Sequence, residues 1–322
     1  MNDGEIYESF AVPLWSDISH SEQFPARRPL LAHYTSIATL EKIMSSDELW
    51  FSHPLYMNDM EELRFGILEG AQSFRAHQAL KDACGNLPRY ELLRNAFEGS
   101  LGEYLNVHAI DTYVFCMSMH EAANSDGLLS MWRGYGGNGT GAAIVFDTTK
   151  INAREDTSII VAPVTYATQD QRRQWIQLKL GELAAALRQH AVDDDKLYLP
   201  ALAFLDRLKM FALFSKHCGF SEEREWRVVY MRDRDKGKAL DRMLDYATGR
   251  NGIEPKLKFK VAPIAGLTVD DLSIEKLITQ IILGPSVSTP LAVNAVKRML
   301  AKLGKAQLAE KVIASTTPFR PI

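Results

Sequence analysis

Short apolar runs of strand character alternate along this chain with two long stretches of helical character, and that alternation restricts the fold to a mixed one. Thr112–Met119 reads TYVFCMSM, aromatic and β-branched, and Ala142–Asp147, Trp226–Met231 and Ile278–Leu283 are similar. Further strands are expected at 30–35, 48–52, 158–166, 256–261 and 311–314. Gln169–His190 and Asp193–Cys218 carry apolar residues at helical spacing, and in the second Leu205, Leu208, Phe211 and Ala212 belong to a mostly apolar face. Shorter helices are expected after Ser36, near Met60, from Pro88 to Asn106 and from Pro290 to Leu303. The class is α+β. The expected organisation is an irregular leader at 1–29, punctuated by Pro13, Pro25 and Pro29 with at most a short turn of helix near Leu14–Ile18. A single α+β domain follows at 30–315, with helical insertions near 59–106 and 169–218, and then a tail at 316–322.

Composition excludes several classes. A chain of 322 residues is long enough to bury a large core, and a net charge of −3 gives no push toward nucleic acid or an anionic membrane. Cys84, Cys116 and Cys218 are too far apart for zinc or redox motifs, as a reducing cytoplasm would allow. No apolar stretch approaches the roughly 20 residues that cross a bilayer, so a cytoplasmic protein with no membrane partner is expected.

Chemistry-bearing side chains cluster at the ends of these runs. His33-Tyr34-Thr35 closes the first strand. A histidine there can bond a ribose hydroxyl or move a proton, and it can equally bond a backbone carbonyl beside a core tyrosine. Asn58-Asp59-x-Glu61-Glu62 suits either a capped first helical turn or a carboxylate metal site. Ser118 either orients a cofactor or a carboxylate, or is a satisfied hydroxyl; flanked by Met117 and Met119, it is no nucleophile elbow. Trp132-Arg133-Gly134-Tyr135 runs into glycines, where Arg133 and backbone N–H groups suit a phosphate and the glycines equally suit a turn. Glu223 and Glu225 alternate, so a strand that includes both points them to one side, where close carboxylates split in pKa. The alternative is a strand edge with exposed charges.

Taken in order, several of these segments resemble a bacterial domain family of unknown function over about residues 30–290. They are His33-Tyr34-Thr35, Leu49-Trp50-Phe51-Ser52, Asn58-Asp59 with Glu62, Trp132 and Tyr135 with Gly141, Glu223-x-Glu225-Trp226-Arg227, and Gly284-Pro285. The opening His-Tyr-Thr, followed by a helix and a Leu-Trp strand, more loosely resembles the start of ADP-ribosyltransferase-type folds. That second resemblance implies mixed and antiparallel sheets with helical insertions, and NAD as substrate. It implies His33 as the ribose contact, Ser118 as the middle-strand residue, Glu225 as the reacting glutamate and Glu223 as the carboxylate that orients the substrate. Tyr34 or Tyr135 would stack on a ring of NAD and Arg133 would hold its pyrophosphate, with Thr35, Asn58 and Trp132 completing the cofactor-binding set. Ser118 departs from the pattern, lying in Cys-Met-Ser-Met rather than Ser-Thr-Ser.

The implied chemistry is coherent. Breaking the nicotinamide–ribose bond creates an oxocarbenium-like centre, and a carboxylate aimed at it stabilises the charge. The acceptor would be a protein side chain or a nucleic-acid group, and the role that of a bacterial toxin or phage-defence effector. Two other readings stand beside it. One is a non-catalytic module that binds a nucleotide or a partner. The other is a metal-dependent nuclease built on Asp59, Glu61, Glu62 and the late glutamates.

Overall fold

The computed structural model describes residues 2–57, 60–106, 111–151, 157–249, 252–265 and 267–319, with backbone alone at 60–64. In chain order the helices are α1 (Asp3–Leu14), α2 (Ile37–Ser46), α3 (Met60–Ala76), α4 (Gln78–Cys84), α5 (Leu87–Asn106), α6 (Leu129–Gly134), α7 (Gln169–Gln189), α8 (Tyr198–Leu213), α9 (Ile274–Leu277), α10 (Pro290–Lys302) and α11 (Ala306–Ala309). The strands are β1 (Leu30–Thr35), β2 (Glu48–Ser52), β3 (Thr112–His120), β4 (Ala142–Asp147), β5 (Ile159–Pro163), β6 (Thr165–Ala167), β7 (Ser215–His217), β8 (Glu225–Met231), β9 (Leu244–Gly249), β10 (Gly252–Lys260), β11 (Ile278–Leu283) and β12 (Val312–Ala314). These elements form two compact units, one of residues 1–20, 54–112 and 164–219 and the other of 21–53, 113–163 and 220–322. The two helical insertions expected from the sequence fall in the first unit, together with residues 1–20.

Among its described residues the first unit is mainly helical and holds the small parallel pair β6–β7. The leader is not irregular. Asn2 accepts from the Glu5 N–H while the Glu5 carboxylate accepts from the Asn2 N–H, a reciprocal cap that starts α1. Gly66 and Gly70 on α3 let α8 approach closely: a Cβ at Gly66 would stand 2.8 Å from the Ala212 Cβ, and one at Gly70 2.5 Å from Leu208. Phe74 and Phe97 stack at 4.0 Å within this core. Asp17 accepts from Arg207 at 2.9 and 3.0 Å and pairs with buried Lys179 at 3.0 Å. Burial pushes the Asp17 carboxyl up, but the Trp175 hydrogen bond and these cations outweigh it and hold it below the usual range.

The second unit carries a ten-stranded sheet in the order β12-β11-β4-β1-β3-β2-β10-β9, with β8 also on β3 and β5 beyond β8. The β11–β12 pair is parallel, whereas β1, β4, β10 and β11 make antiparallel pairs elsewhere, so the sheet is mixed. Side chains alternate between its faces. Leu31, Tyr113, Phe115, Met117, Trp226 and Val228 enter the larger core, which α2 and α10 share through residues such as Leu40 and Leu300. Ala32 and Tyr34 enter a smaller core with Met131 and Trp132 of α6.

The sheet forks on β3. Backbone polar groups alternate between the two edges of a strand. Ser118 pairs with Ala32 of β1 and Val114 with Ser52 of β2, while the Met119 N–H bonds the Arg224 C=O at 2.8 Å on the opposite edge. Val114, Cys116 and Ser118 therefore face one edge, which β1 and β2 share end to end. The β1 register ends at Ala32–Ser118 and the β2 register at Ser52–Val114. Cys116 lies between them, and its carbonyl is met by His33 Nδ1 at 3.0 Å.

Candidate functional site

His33 occupies the apex of that fork. It follows the last β1 residue in register with β3, so its ring meets a carbonyl that a straight ladder would cover. A carbonyl only accepts, so Nδ1 carries the proton and Nε2 is the acceptor. The ring stacks on Phe115 at 4.4 Å, and Phe115 stacks on Phe51 at 5.4 Å. Burial pulls the His33 pKa down, opposed by the Cys116 hydrogen bond, so the ring is neutral at pH 7.

A cavity of about 130 Å³ opens beside it, lined by His33, Phe115, Thr39, Lys42, Glu48 and Trp50 among others. Glu48 Oε2 accepts from the Trp50 indole N–H at 3.0 Å, and among the described residues its Oε1 has no hydrogen-bond donor. Lys258 lies over the Trp50 ring at 4.7 Å. Lys42 forms no ion pair among the described residues, and its carbonyl caps Ser45 and Ser46. The cavity thus presents a neutral imidazole acceptor, a carboxylate oxygen, an ammonium and a large ring. Of these, sequence reasoning named only His33 as a site residue. The signal for Trp50 was the Leu-Trp strand already noted, and Lys42 and Glu48 carried none.

The other expected residues lie elsewhere. Tyr34 is on the opposite face of β1, buried, with its hydroxyl accepting from the Leu128 N–H at 2.8 Å and its ring edge-on to Trp132 at 4.8 Å. Burial pushes its pKa up to about 12. Trp132 is fully buried and donates to the Asp126 carbonyl at 2.7 Å. Neither ring is available for stacking on a ligand. Thr35, also buried, continues the β1–β4 ladder opposite Ala142.

Ser118 is fully buried, and its hydroxyl donates to the Glu223 carbonyl at 2.6 Å. With the Met119–Arg224 bond this pins the chain entering β8, where Arg224 takes a left-handed φ of 46°. The Glu223 side chain is half-buried and accepts from the Tyr135 hydroxyl at 3.0 Å. Glu225 opens β8 with its carboxylate forked onto Arg227, Nε to Oε1 at 2.8 Å and Nη2 to Oε2 at 3.2 Å. Because Trp226 and Val228 enter the larger core, Glu225 and Arg227 point to the opposite face, the one that Ser118 shares. The structure brings Ser118, Glu223, Glu225 and Tyr135 to one region. It puts His33 on the other face, one strand away across β3.

Arg133 is exposed, with its guanidinium 5.8 Å from the Phe319 ring. The N–H groups of Gly136, Gly139, Thr140 and Gly141 bond carbonyls of Met131, Trp132, Gly136 and Gly137, so the glycines act here as a turn. The turn also binds the chain after β11, where the Gly284 N–H meets the Gly141 carbonyl at 2.8 Å. Asn58 lies outside the described residues, as does Asp59, and the side chains of Glu61 and Glu62 are not described. Among the described residues no group of three or more His, Cys, Asp or Glu is placed to hold a metal ion. No helix among them is long and apolar enough to cross a membrane.

A family model described as "Protein of unknown function (DUF2971)" matches residues 131–228, which include Trp132, Arg133, Tyr135, Glu223 and Glu225. No curated protein and no solved structure matches the chain.

Proposed function

We propose that the fork cavity of the second unit binds a nucleotide-type ligand, NAD being the first to test, and that the protein is a nucleotide-binding module. The observation that carries this reading is His33, fixed by Cys116 in a neutral form that leaves Nε2 as an acceptor at the cavity. The other groups fit the same chemistry. Trp50 offers a ring to a base, Lys42 a cation to a phosphate, and Glu48 Oε1 an acceptor to a ribose hydroxyl. The enclosed volume takes one ring or one ribose, and the rest of a dinucleotide extends outside. Calorimetric titration with NAD tests the proposal. Saturable binding that weakens at least tenfold in Trp50→Ala supports it. Absence of binding by the wild-type protein to NAD, ATP and GTP sinks it.

A second reading is ADP-ribosyl transfer from NAD to a protein or nucleic-acid acceptor, as in a toxin or a phage-defence effector. It is favoured by one observation: His33, Ser118 and Glu225 lie on the neighbouring strands β1, β3 and β8. Against it stands their division between the two faces, with Glu225 held by Arg227. Release of nicotinamide by folded protein, lost on substitution of a site carboxylate, would favour transfer over binding alone.

A further inference from the structure

We infer that the second unit holds a separate binding site for a short-chain carboxylate, with its alkyl end in an apolar cavity beside Phe115 and its charged head at Lys150. The cavity measures about 110 Å³ and lies on the larger-core face of the sheet. Its walls come from several strands, through side chains such as Met117, Phe146, Val161, Val228 and Phe259. Phe115 lines both this cavity and the fork cavity.

The polar atoms of the lining are almost all engaged. Thr148 donates to the Pro29 carbonyl at 2.6 Å, and Thr157 accepts from the Ile159 N–H at 3.1 Å. Thr268 accepts from the Ile264 N–H at 2.7 Å and reaches carbonyls at 3.3 Å. The interior therefore presents carbon, and water entering it finds few partners. An apolar cavity of roughly 150 Å³ stays dry and takes a benzene ring of six carbons, so by proportion this one takes about four.

Lys150 is the exception among the lining residues. It is exposed, so the cavity reaches solvent there. It has no ion-pair partner among the described residues. Asp271 feels its charge only at a distance and is itself paired with Lys276. A pocket of carbon with an ammonium at its mouth, one that has no ion pair among the described residues, matches an alkyl chain that ends in an anion.

The test is a chain-length series of straight-chain carboxylates from acetate to octanoate, read by the methyl resonance of Met117 in the full-length protein. Affinity is expected to rise about fourfold per added methylene until the cavity is full, near pentanoate, and then to level off. Pentanoate is expected to bind about two- to fivefold tighter than 1-pentanol, and Lys150→Met to remove that difference while leaving the chain-length series intact. Val161→Phe, which fills the space, is expected to abolish the methyl shift. A Met117 signal that never saturates, or an affinity independent of chain length, overturns the site, and the wild-type series decides this even if Val161→Phe does not fold. Equal affinity for pentanoate and 1-pentanol overturns the role of Lys150.

Discussion

Replacing Glu225 with glutamine separates a structural carboxylate from a reacting one. Both of its oxygens bond Arg227, and each side chain of the pair is only 6% exposed. Glutamine keeps the shape and removes the charge, so the buried guanidinium loses the carboxylate it forks onto. Breaking one partner of a buried pair typically costs about 3–5 kcal/mol. For a domain of 150–250 residues, roughly 2–4 °C of melting temperature is lost per kcal/mol, so the transition should fall by about 6–20 °C. Urea unfolding followed by circular dichroism measures the loss, and a double-mutant cycle with Arg227→Met isolates the pair. Because the double variant removes both charges, its loss should be smaller than the two single losses summed, by about 0.5–3 kcal/mol. Additive losses, or a Glu225→Gln protein within about 1 kcal/mol of wild type, refute the reasoning. Any activity lost in Glu225→Gln has to be corrected for the fraction folded before it counts as chemistry.

Tyr34→Phe strips the acceptor from the half-buried Leu128 N–H and should cost about 0.5–1.5 kcal/mol in the same urea assay. Gly141→Ala would place a Cβ 2.1 Å from the Thr35 carbonyl oxygen and 2.8 Å from that of Gly136. Backbone must move, so a loss at or above the top of the usual range of about 1–3 kcal/mol for overpacking is expected, with weakened amide protection along β1 and β4 on hydrogen exchange. His33 titrates below its ordinary value because burial disfavours its charge. The unfolded chain therefore takes up the proton first, so the His33 contribution to stability is complete above about pH 6.5 and is lost as pH falls through the lower folded value. His77 and His120 are shifted in the same direction, so the His33 share is the difference between wild type and His33→Asn in urea midpoints at pH 7.5 and pH 5. NAD binding should fall in the same window, because the protonated ring has no acceptor nitrogen. Binding that strengthens on acidification would contradict that role.

The class of the fold was legible because strand and helix runs differ in length and period. Ala142–Asp147 and Ile278–Leu283 match β4 and β11 residue for residue. The edge strand β9 was not legible. Leu244–Gly249 is mostly exposed and has no apolar alternation, and it is held by its ladder to β10. Helix α1 was obscured by Pro13 and signalled only by Asn2 with Glu5. At the site, the sequence identified His33 but not which face it occupies. A strand pattern gives alternation but not which parity faces which core, and the fork depends on β1 and β2 sharing one edge of β3, a non-local fact. Glu225 drew attention as a carboxylate on a strand, yet its partner is two residues away on the same face, where alternation alone puts Arg227.

A diffraction structure of the protein soaked with NAD tests the fork most directly. The expected result is ligand density between β1 and β2, with a ribose hydroxyl within hydrogen-bond reach of His33 Nε2 and a ring against Trp50. Density beside Glu225 on the other face, or an unfilled fork at saturating NAD, would contradict it.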